Sequence, residues 1–148
     1  MIAVDTNILV YSHRRDVTWF EPARDCVRSL AEGSAPWAIP WPCLYEFVAV
    51  VTHPRIFNTP TPLEAAVAQV RAWLAAPNLA LLSEGQSFWD GFRDLLVASR
   101  ASGPLVHDAR IAALCLANRV TELWSADRDF GRFPLLKVRN PLIGQQRS

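Results

Sequence analysis

Four acidic residues carry the clearest chemical signal in the sequence. They are Asp5, Glu46, Asp108 and Asp127. Carboxylate oxygens that have no histidine or cysteine ligands beside them suit hard divalent cations such as Mg²⁺ or Mn²⁺. A cation held in this way polarises a phosphoryl oxygen and lowers the pKa of bound water. If the fold gathers these acids, they predict metal-assisted hydrolysis of a phosphodiester.

Two of the acids follow predicted strands. Asp5 comes directly after the short apolar run 2–4, and Asp127 comes shortly after the run 122–125. In an open parallel sheet, ligands bind in the crevice at the carboxyl ends of the strands. We therefore expect both carboxylates to point into one crevice.

The other two acids are expected in the first turns of helices. The helix of Glu46 comes directly after a strand at 37–39, so it begins at the same edge of the sheet. Asp108 opens a helix over 106–119 that runs antiparallel to the strand at 122–125, which brings the helix start beside that strand's end. Four carboxylates on one rim repel one another, and one or two cations would relieve the repulsion.

The rest of the chain alternates short strands with helices. Asp5-Thr6-Asn7 is predicted as a loop, and Thr61 as the N-cap of a helix with a reciprocal Glu64. The inward face of that helix is predicted to carry Leu63, Val67, Val70 and Leu74. Further helices are expected over 21–33 and 88–100, and further strands at 79–82 and 135–138. This order predicts one α/β domain over residues 1–148, with a mostly parallel sheet of four to five strands covered on both faces.

Composition narrows the choice of function. The net charge of +1 excludes a uniformly basic surface, so a nucleic acid would have to be met by a local patch. The cysteines Cys26, Cys43 and Cys115 are odd in number and lie among apolar residues, which favours reduced, packed thiols. The three histidines form no zinc-binding spacing. With no apolar run of about 20 residues, we expect a soluble, cytoplasmic protein.

The motifs around the acids resemble those of a known family. In order along the chain they are I-A-V-D-T-N, L-Y-E-F, H-D-A-R-I-A-A-L, and W-S-A-D-R-D-F-G-R-F followed by R-N-P. This series is similar to PIN domains, specifically the VapC-type toxins of bacterial toxin–antitoxin pairs. The resemblance implies a three-layer α/β/α fold in which Asp5, Glu46, Asp108 and Asp127 bind Mg²⁺ or Mn²⁺ and activate water.

The resemblance also implies roles for neighbouring residues. Asn7 and Ser125 would hydrogen-bond the acids or metal-bound waters, and Asp129 would be an accessory acid. From the residues alone, Asn7 is equally well a turn residue and Ser125 a strand end. One departure concerns Glu46: the family often has a small hydroxyl residue one helical turn earlier, whereas this chain has Pro42 after Trp41.

At the level of activity, the resemblance implies an endoribonuclease that leaves 5′-phosphate and 3′-hydroxyl ends. Its target would be structured RNA such as transfer or ribosomal RNA. It implies a homodimer and a cognate VapB-type antitoxin that blocks the groove. Several arginines lie near the predicted rim in sequence, and we expect some of them to contact RNA phosphates. They are Arg14, Arg15, Arg110, Arg128 and Arg132.

Two other functions remain open at this point. An Asp after the first strand of a doubly wound sheet is phosphorylated in phosphotransfer and phosphatase domains. Such phosphatase loops usually have a second Asp two residues on, where this chain has Asn7. Alternatively, the acidic groove binds an arginine-rich partner peptide without cutting anything.

Overall fold

The computed structural model of the chain describes residues 1–144. Its centre is a sheet of five parallel strands in the order β3-β2-β1-β4-β5. The strands are β1 (Ile2–Val4), β2 (Trp37–Pro40), β3 (Leu79–Leu82), β4 (Glu122–Trp124) and β5 (Val138–Arg139). Because β1 is the middle strand, with β2 and β4 on its two sides, the residues that follow these strands meet at one edge of the sheet.

Helices cover both faces of this sheet, so the predicted three-layer α/β/α class is confirmed. The helices are α1 (Thr6–His13), α2 (Phe20–Glu32), α3 (Trp41–Val51), α4 (Leu63–Leu74), α5 (Phe88–Ser99) and α6 (Leu105–Ala117). A short 3₁₀ helix spans Arg128–Arg132. Among the described residues, no helix is both long enough and apolar enough to cross a membrane.

Helix α1 replaces the loop that was predicted after the first strand. The chain leaves β1 at Asp5 in an extended conformation and becomes helical at Thr6. Ile8, Leu9 and Val10 are all buried. An unbroken apolar run has no helical period, and for this reason no helix was predicted here. The consequence for the site is that residues 6 and 7 are held on a helix rather than on a loop.

The predicted capping arrangement at Thr61 is wrong. Helix α4 begins at Leu63 with Pro62 as its N-cap, and no side chain caps it. The Thr61 hydroxyl oxygen accepts a 3.3 Å hydrogen bond from Nη1 of Arg14 and lies 3.2 Å from Nε2 of His13. Thr61 therefore ties the start of α4 to the end of α1.

The apolar face predicted for α4 is also wrong in large part. Leu63, Val67 and Leu74 are 58%, 44% and 40% exposed, whereas Ala66 and Trp73 are buried. The ring of Trp73 packs edge-on against Phe47 of α3. Trp73 fills the contact between α4 and α3. The helix therefore packs with the face that carries Ala66 and Trp73, and not with the face that the leucine and valine spacing predicted.

The core lies between the sheet and its helices. Trp37 of β2 is fully buried, and its indole N–H donates to Oδ1 of Asn78 at 3.2 Å. Trp37 is therefore a core residue. All three cysteines are buried as well, in agreement with the prediction that they pack as small hydrophobic groups.

Candidate metal centre

The structure brings the four predicted acids into one cleft. The cleft has a volume of about 760 Å³ and lies where β1, β2 and β4 end. Its carboxylates belong to Asp5, Glu46, Asp108, Asp127 and Asp129. The sheet order explains this convergence, because β1 and β4 are neighbours and α3 follows β2 without a loop.

Asp5 is the most buried of these acids, with 6% of its surface exposed. Its Oδ2 accepts hydrogen bonds from the Ser125 hydroxyl at 2.7 Å and the Asn7 amide at 3.3 Å. The Cys43 thiol donates to its Oδ1 at 3.5 Å. Burial raises the pKa of Asp5 to about 6, and the negative charge of Glu46 adds to the rise, although the hydrogen bonds from Ser125 and Cys43 oppose it.

Asp108 stands in the first turn of α6, as predicted. Its pKa is also raised to about 6, first by burial and then by the negative charges of Asp127, Asp5 and the other acids of the cleft. A carboxylate whose charge is disfavoured by its neighbours gains most from a bound cation. The electrostatics of the cleft therefore fit a divalent ion.

The tightest acidic group consists of Asp108, Asp127 and Asp129. One carboxylate oxygen from each lies within 4.8 Å of the other two. The backbone N–H of Asp129 donates to Oδ1 of Asp127 at 2.9 Å, which fixes the turn that opens the 3₁₀ helix. Asp129, which the resemblance implied to be an accessory acid, thus belongs to the same close group as Asp108 and Asp127.

Glu46 lies in the second turn of α3, so its predicted place in the first turn is wrong. The helix begins at Trp41, immediately after β2, because Pro42 is accepted in a first turn where its missing N–H has no partner to lose. The side chain of Glu46 is exposed, and its Oε2 accepts a 3.1 Å hydrogen bond from the Thr6 hydroxyl.

Thr6 and Cys43 are the two contacts that the sequence analysis missed. The hydroxyl beside Glu46 comes from α1, not from the preceding turn of α3 where the family pattern places it. That preceding turn supplies Cys43 instead, and its thiol reaches Asp5. The adjacency of Thr6 to Asp5 was the only available signal, and it could not show which acid the hydroxyl would reach.

Asn7 and Ser125 link the first turn of α1 to the loop after β4. Nδ2 of Asn7 donates to Oγ of Ser125 at 3.2 Å, and Oδ1 of Asn7 accepts from the Ala126 N–H at 3.1 Å. Oγ of Ser125 also accepts from the Asp127 N–H at 3.0 Å. Together the two side chains fix the position of Asp5 relative to Asp127.

The predicted RNA-binding arginines divide into two groups. Arg14 is buried: its guanidinium makes two hydrogen bonds to Asp16, at 2.9 and 2.6 Å, and lies 4.0 Å from the ring centroid of Phe57. Nη2 of Arg132 donates to the Ser99 carbonyl oxygen at 2.7 Å. The donors of Arg14 are thus engaged within the protein, whereas Arg132 is exposed and one of its donors is engaged.

The remaining three arginines differ in exposure. Arg110 lines the cleft and forms an ion pair with Glu84. Arg15 and Arg128 are exposed. Arg15, Arg128 and Arg132 are therefore the exposed residues among the five predicted arginines.

Comparison with known proteins identifies the family of this fold. A profile of the PIN domain matches residues 2–135. The chain is 41% identical over 145 residues to ribonuclease VapC43 of Mycobacterium tuberculosis, with 98% of each chain covered. It is 32% identical over 149 residues to ribonuclease VapC33 of the same species, covering 96% of this chain and 99% of the relative.

Solved structures share the fold at lower identity. VapBC2 from Rickettsia felis, bound to a promoter DNA fragment, superposes with a TM-score of 0.66 at 20% identity, covering 94% of this chain and 98% of that one. VapC20 of Mycobacterium tuberculosis, a toxin that cleaves the sarcin-ricin loop, gives 0.65 at 18% identity, covering 88% and 93%. The profile match and the identity to VapC relatives over nearly the whole length agree with the motifs around the acids, and the chain belongs to the PIN-domain family, among its VapC-type members.

Proposed function

We propose that this protein is a divalent-metal-dependent endoribonuclease that acts as the toxin of a toxin–antitoxin pair. The observation that carries the proposal is the cleft in which five carboxylates converge, with the pKa values of Asp5 and Asp108 both raised to about 6. The relatives are named as ribonucleases, which supports RNA as the substrate.

The donor set suggests how the residues divide the work. Asp108, Asp127 and Asp129 would hold one Mg²⁺ or Mn²⁺ ion, with Asp5 completing the site from the floor of the cleft. The bound cation would supply an activated water and stabilise the phosphoryl charge. Ser125, Asn7 and Cys43 hold both oxygens of Asp5 in place. Thr6 orients Glu46, which is exposed to the cleft and suited to accept a proton from water.

Partners follow as part of the same proposal. A VapB-type antitoxin would occupy the cleft and block it, as suggested by the toxin–antitoxin complexes among the structural relatives. We further propose a homodimer that acts in the cytoplasm on transfer or ribosomal RNA. Arg15 and Arg128 are the best placed of the predicted arginines to contact RNA phosphates outside the cleft.

Phosphotransfer through Asp5 is less well supported. Both oxygens of this carboxylate accept hydrogen bonds from neighbouring side chains, and the residue is almost fully buried. Phosphatase loops usually have a second Asp two residues on, and this chain has Asn7 there, whose amide donates to Asp5. The acidic charge of the cleft would also suit an arginine-rich peptide, and an antitoxin segment of that kind is compatible with the enzyme.

The proposal is tested by digestion of total RNA with purified protein. Cleavage should require Mg²⁺ or Mn²⁺, stop with a chelator and return when the metal is restored. Asp108→Asn should reduce the rate by at least about 10²-fold, because it removes a metal-binding charge while keeping the shape. Asp25→Asn is the matched control, since Asp25 lies on α2, outside the residues that line the cleft. Cleavage that survives the chelator would refute the metal dependence.

A further inference from the structure

The two tyrosines of the chain share one location. Tyr11 on α1 and Tyr45 on α3 both line the acidic cleft. Tyr45 directly precedes Glu46, and its side chain is among the exposed large hydrophobic groups, at 61%. A large aromatic ring exposed beside metal-binding carboxylates presents a flat apolar surface where the substrate must lie.

The ring of Tyr45 is held in place by its neighbour. Trp41, one turn earlier on α3, stacks against it with ring centroids 5.9 Å apart and an interplanar angle of 24°. A ring that is already ordered loses little conformational entropy when a ligand contacts it. Tyr45 is therefore preorganised to receive another flat group.

The cleft has few positive charges that could bind the phosphates of a nucleic acid. Among the described residues that line it, Arg110 is the only arginine or lysine, and Arg110 is paired with Glu84. A bound cation would attract one phosphate, but the five carboxylates repel the others. His107 is the other basic side chain among the described residues of the lining, so contacts to bases are needed for affinity within the cleft. Aromatic stacking provides such a contact for any base, because every base has a π-face.

We propose that Tyr45 is a stacking platform for an unpaired nucleobase next to the phosphodiester that is cut. The inference rests on the proposed ribonuclease function and assigns to Tyr45 the contact with the base beside the cut. A base within a duplex is already stacked on its neighbours and cannot present its face to a side chain. The base that stacks on Tyr45 must therefore be unpaired.

The test measures RNA binding without cleavage. The probe is a short single-stranded RNA that carries 2-aminopurine, whose fluorescence is quenched when it stacks, and Ca²⁺ replaces Mg²⁺ so that the RNA stays intact. Replacing Tyr45 by leucine should raise Kd roughly tenfold or more and weaken the quenching at saturation. Tyr45→Phe, which keeps a ring, should recover most of both. Trp89→Leu is the matched control, because Trp89 is 58% exposed on α5, outside the cleft lining.

The outcomes separate this inference from the proposed function. If wild-type protein cleaves RNA with Mg²⁺ but Tyr45→Leu binds and quenches the probe as the wild type does, the stacking role is wrong and the enzyme stands. If Tyr45→Leu and Trp89→Leu weaken binding equally, the effect is not specific to the cleft and the inference also fails. Absence of metal-dependent cleavage by the wild type would refute the proposed function itself.

Discussion

The hydroxyl of Ser125 donates a 2.7 Å hydrogen bond to Oδ2 of Asp5, joining two residues that are 120 positions apart in the sequence. The pairing of β1 with β4 makes this contact possible, because it sets Val4 beside Trp124 and brings the next residue of each strand to the same edge. The same oxygen of Ser125 accepts from the Asp127 backbone. One side chain thereby couples two acids of the proposed metal site.

Replacing Ser125 by alanine should weaken metal binding. The hydrogen bond from Ser125 lowers the pKa of Asp5, so its loss raises that pKa further and leaves the carboxylate less ready to bind a cation. Partners of metal ligands typically contribute 10–100-fold to metal affinity or activity, and we expect a change of about that size. A titration of the RNA cleavage rate against Mg²⁺ measures it. Ser34→Ala, an exposed serine after α2, should leave the curve unchanged; equal curves for both variants would contradict the role of Ser125.

Cys43 should influence the pH dependence of cleavage. Its thiol stabilises the charged form of Asp5, so Cys43→Ala raises the pKa of that carboxylate and should move the acidic limb of the pH–rate profile to higher pH. Cys43→Ser keeps a donor and should return the limb toward its original place. Profiles that coincide for wild type and Cys43→Ala would show that the thiol only fills space.

The stability of the metal-free protein should fall as pH rises through the range from about 4 to about 6. The pKa values of Asp5 and Asp108 are raised from 3.8 to about 6, so the folded state binds protons more tightly than the unfolded chain in this window. Urea unfolding at pH 5 and pH 7 measures the effect, and Mg²⁺ should stabilise the protein more at pH 7. Asp108→Asn removes one of the two groups and should flatten the dependence. A metal-free protein with the same stability at both pH values, before and after that substitution, would contradict the raised pKa values.

Arg14 should contribute to stability rather than to RNA binding. Arg14→Ala removes two hydrogen bonds to Asp16, one to the Thr59 carbonyl oxygen at 2.8 Å and the contact with Phe57. We expect a loss of about 2 kcal/mol in the free energy of unfolding, since the acceptors and the ring lose a buried partner.

Exposed Arg15 supplies the comparison for Arg14. Arg15→Ala should leave the free energy of unfolding nearly unchanged and make the dependence of RNA affinity on salt concentration less steep. Arg14→Ala should leave that salt dependence as it is. If instead Arg14→Ala reduced the salt dependence while stability was unchanged, the assignment of the two arginines would have to be reversed.

The sequence predicted the meeting of the acids better than it predicted their surroundings. Asp5 and Asp127 converge because a parallel sheet dictates where its strands end, and that rule needs only the strands. Helix α1 was not predicted because Ile8, Leu9 and Val10 form a continuous apolar run without helical spacing. The orientation of α4 depends on the packing of Trp73 against Phe47. This contact joins residues far apart in the sequence, so local spacing does not predict it.

The hydrogen-bond partners of the acids were equally hard to predict. Thr6 reaches Glu46 only because α1 packs against α3, and Cys43 reaches Asp5 only because α3 begins directly after β2. The local sequence favoured Thr61 as the cap of α4, but its hydroxyl oxygen instead contacts the side chains of Arg14 and His13. Local patterns locate elements, whereas side-chain partners are decided by how the elements pack.

Crystals of the protein grown with Mn²⁺, measured for anomalous scattering at the manganese edge, test the central claim most directly. We expect an anomalous peak in coordination contact with the carboxylates of Asp108, Asp127 and Asp129, with Asp5 facing the ion. A cleft without manganese at millimolar concentration, or a peak elsewhere on the molecule, would contradict it.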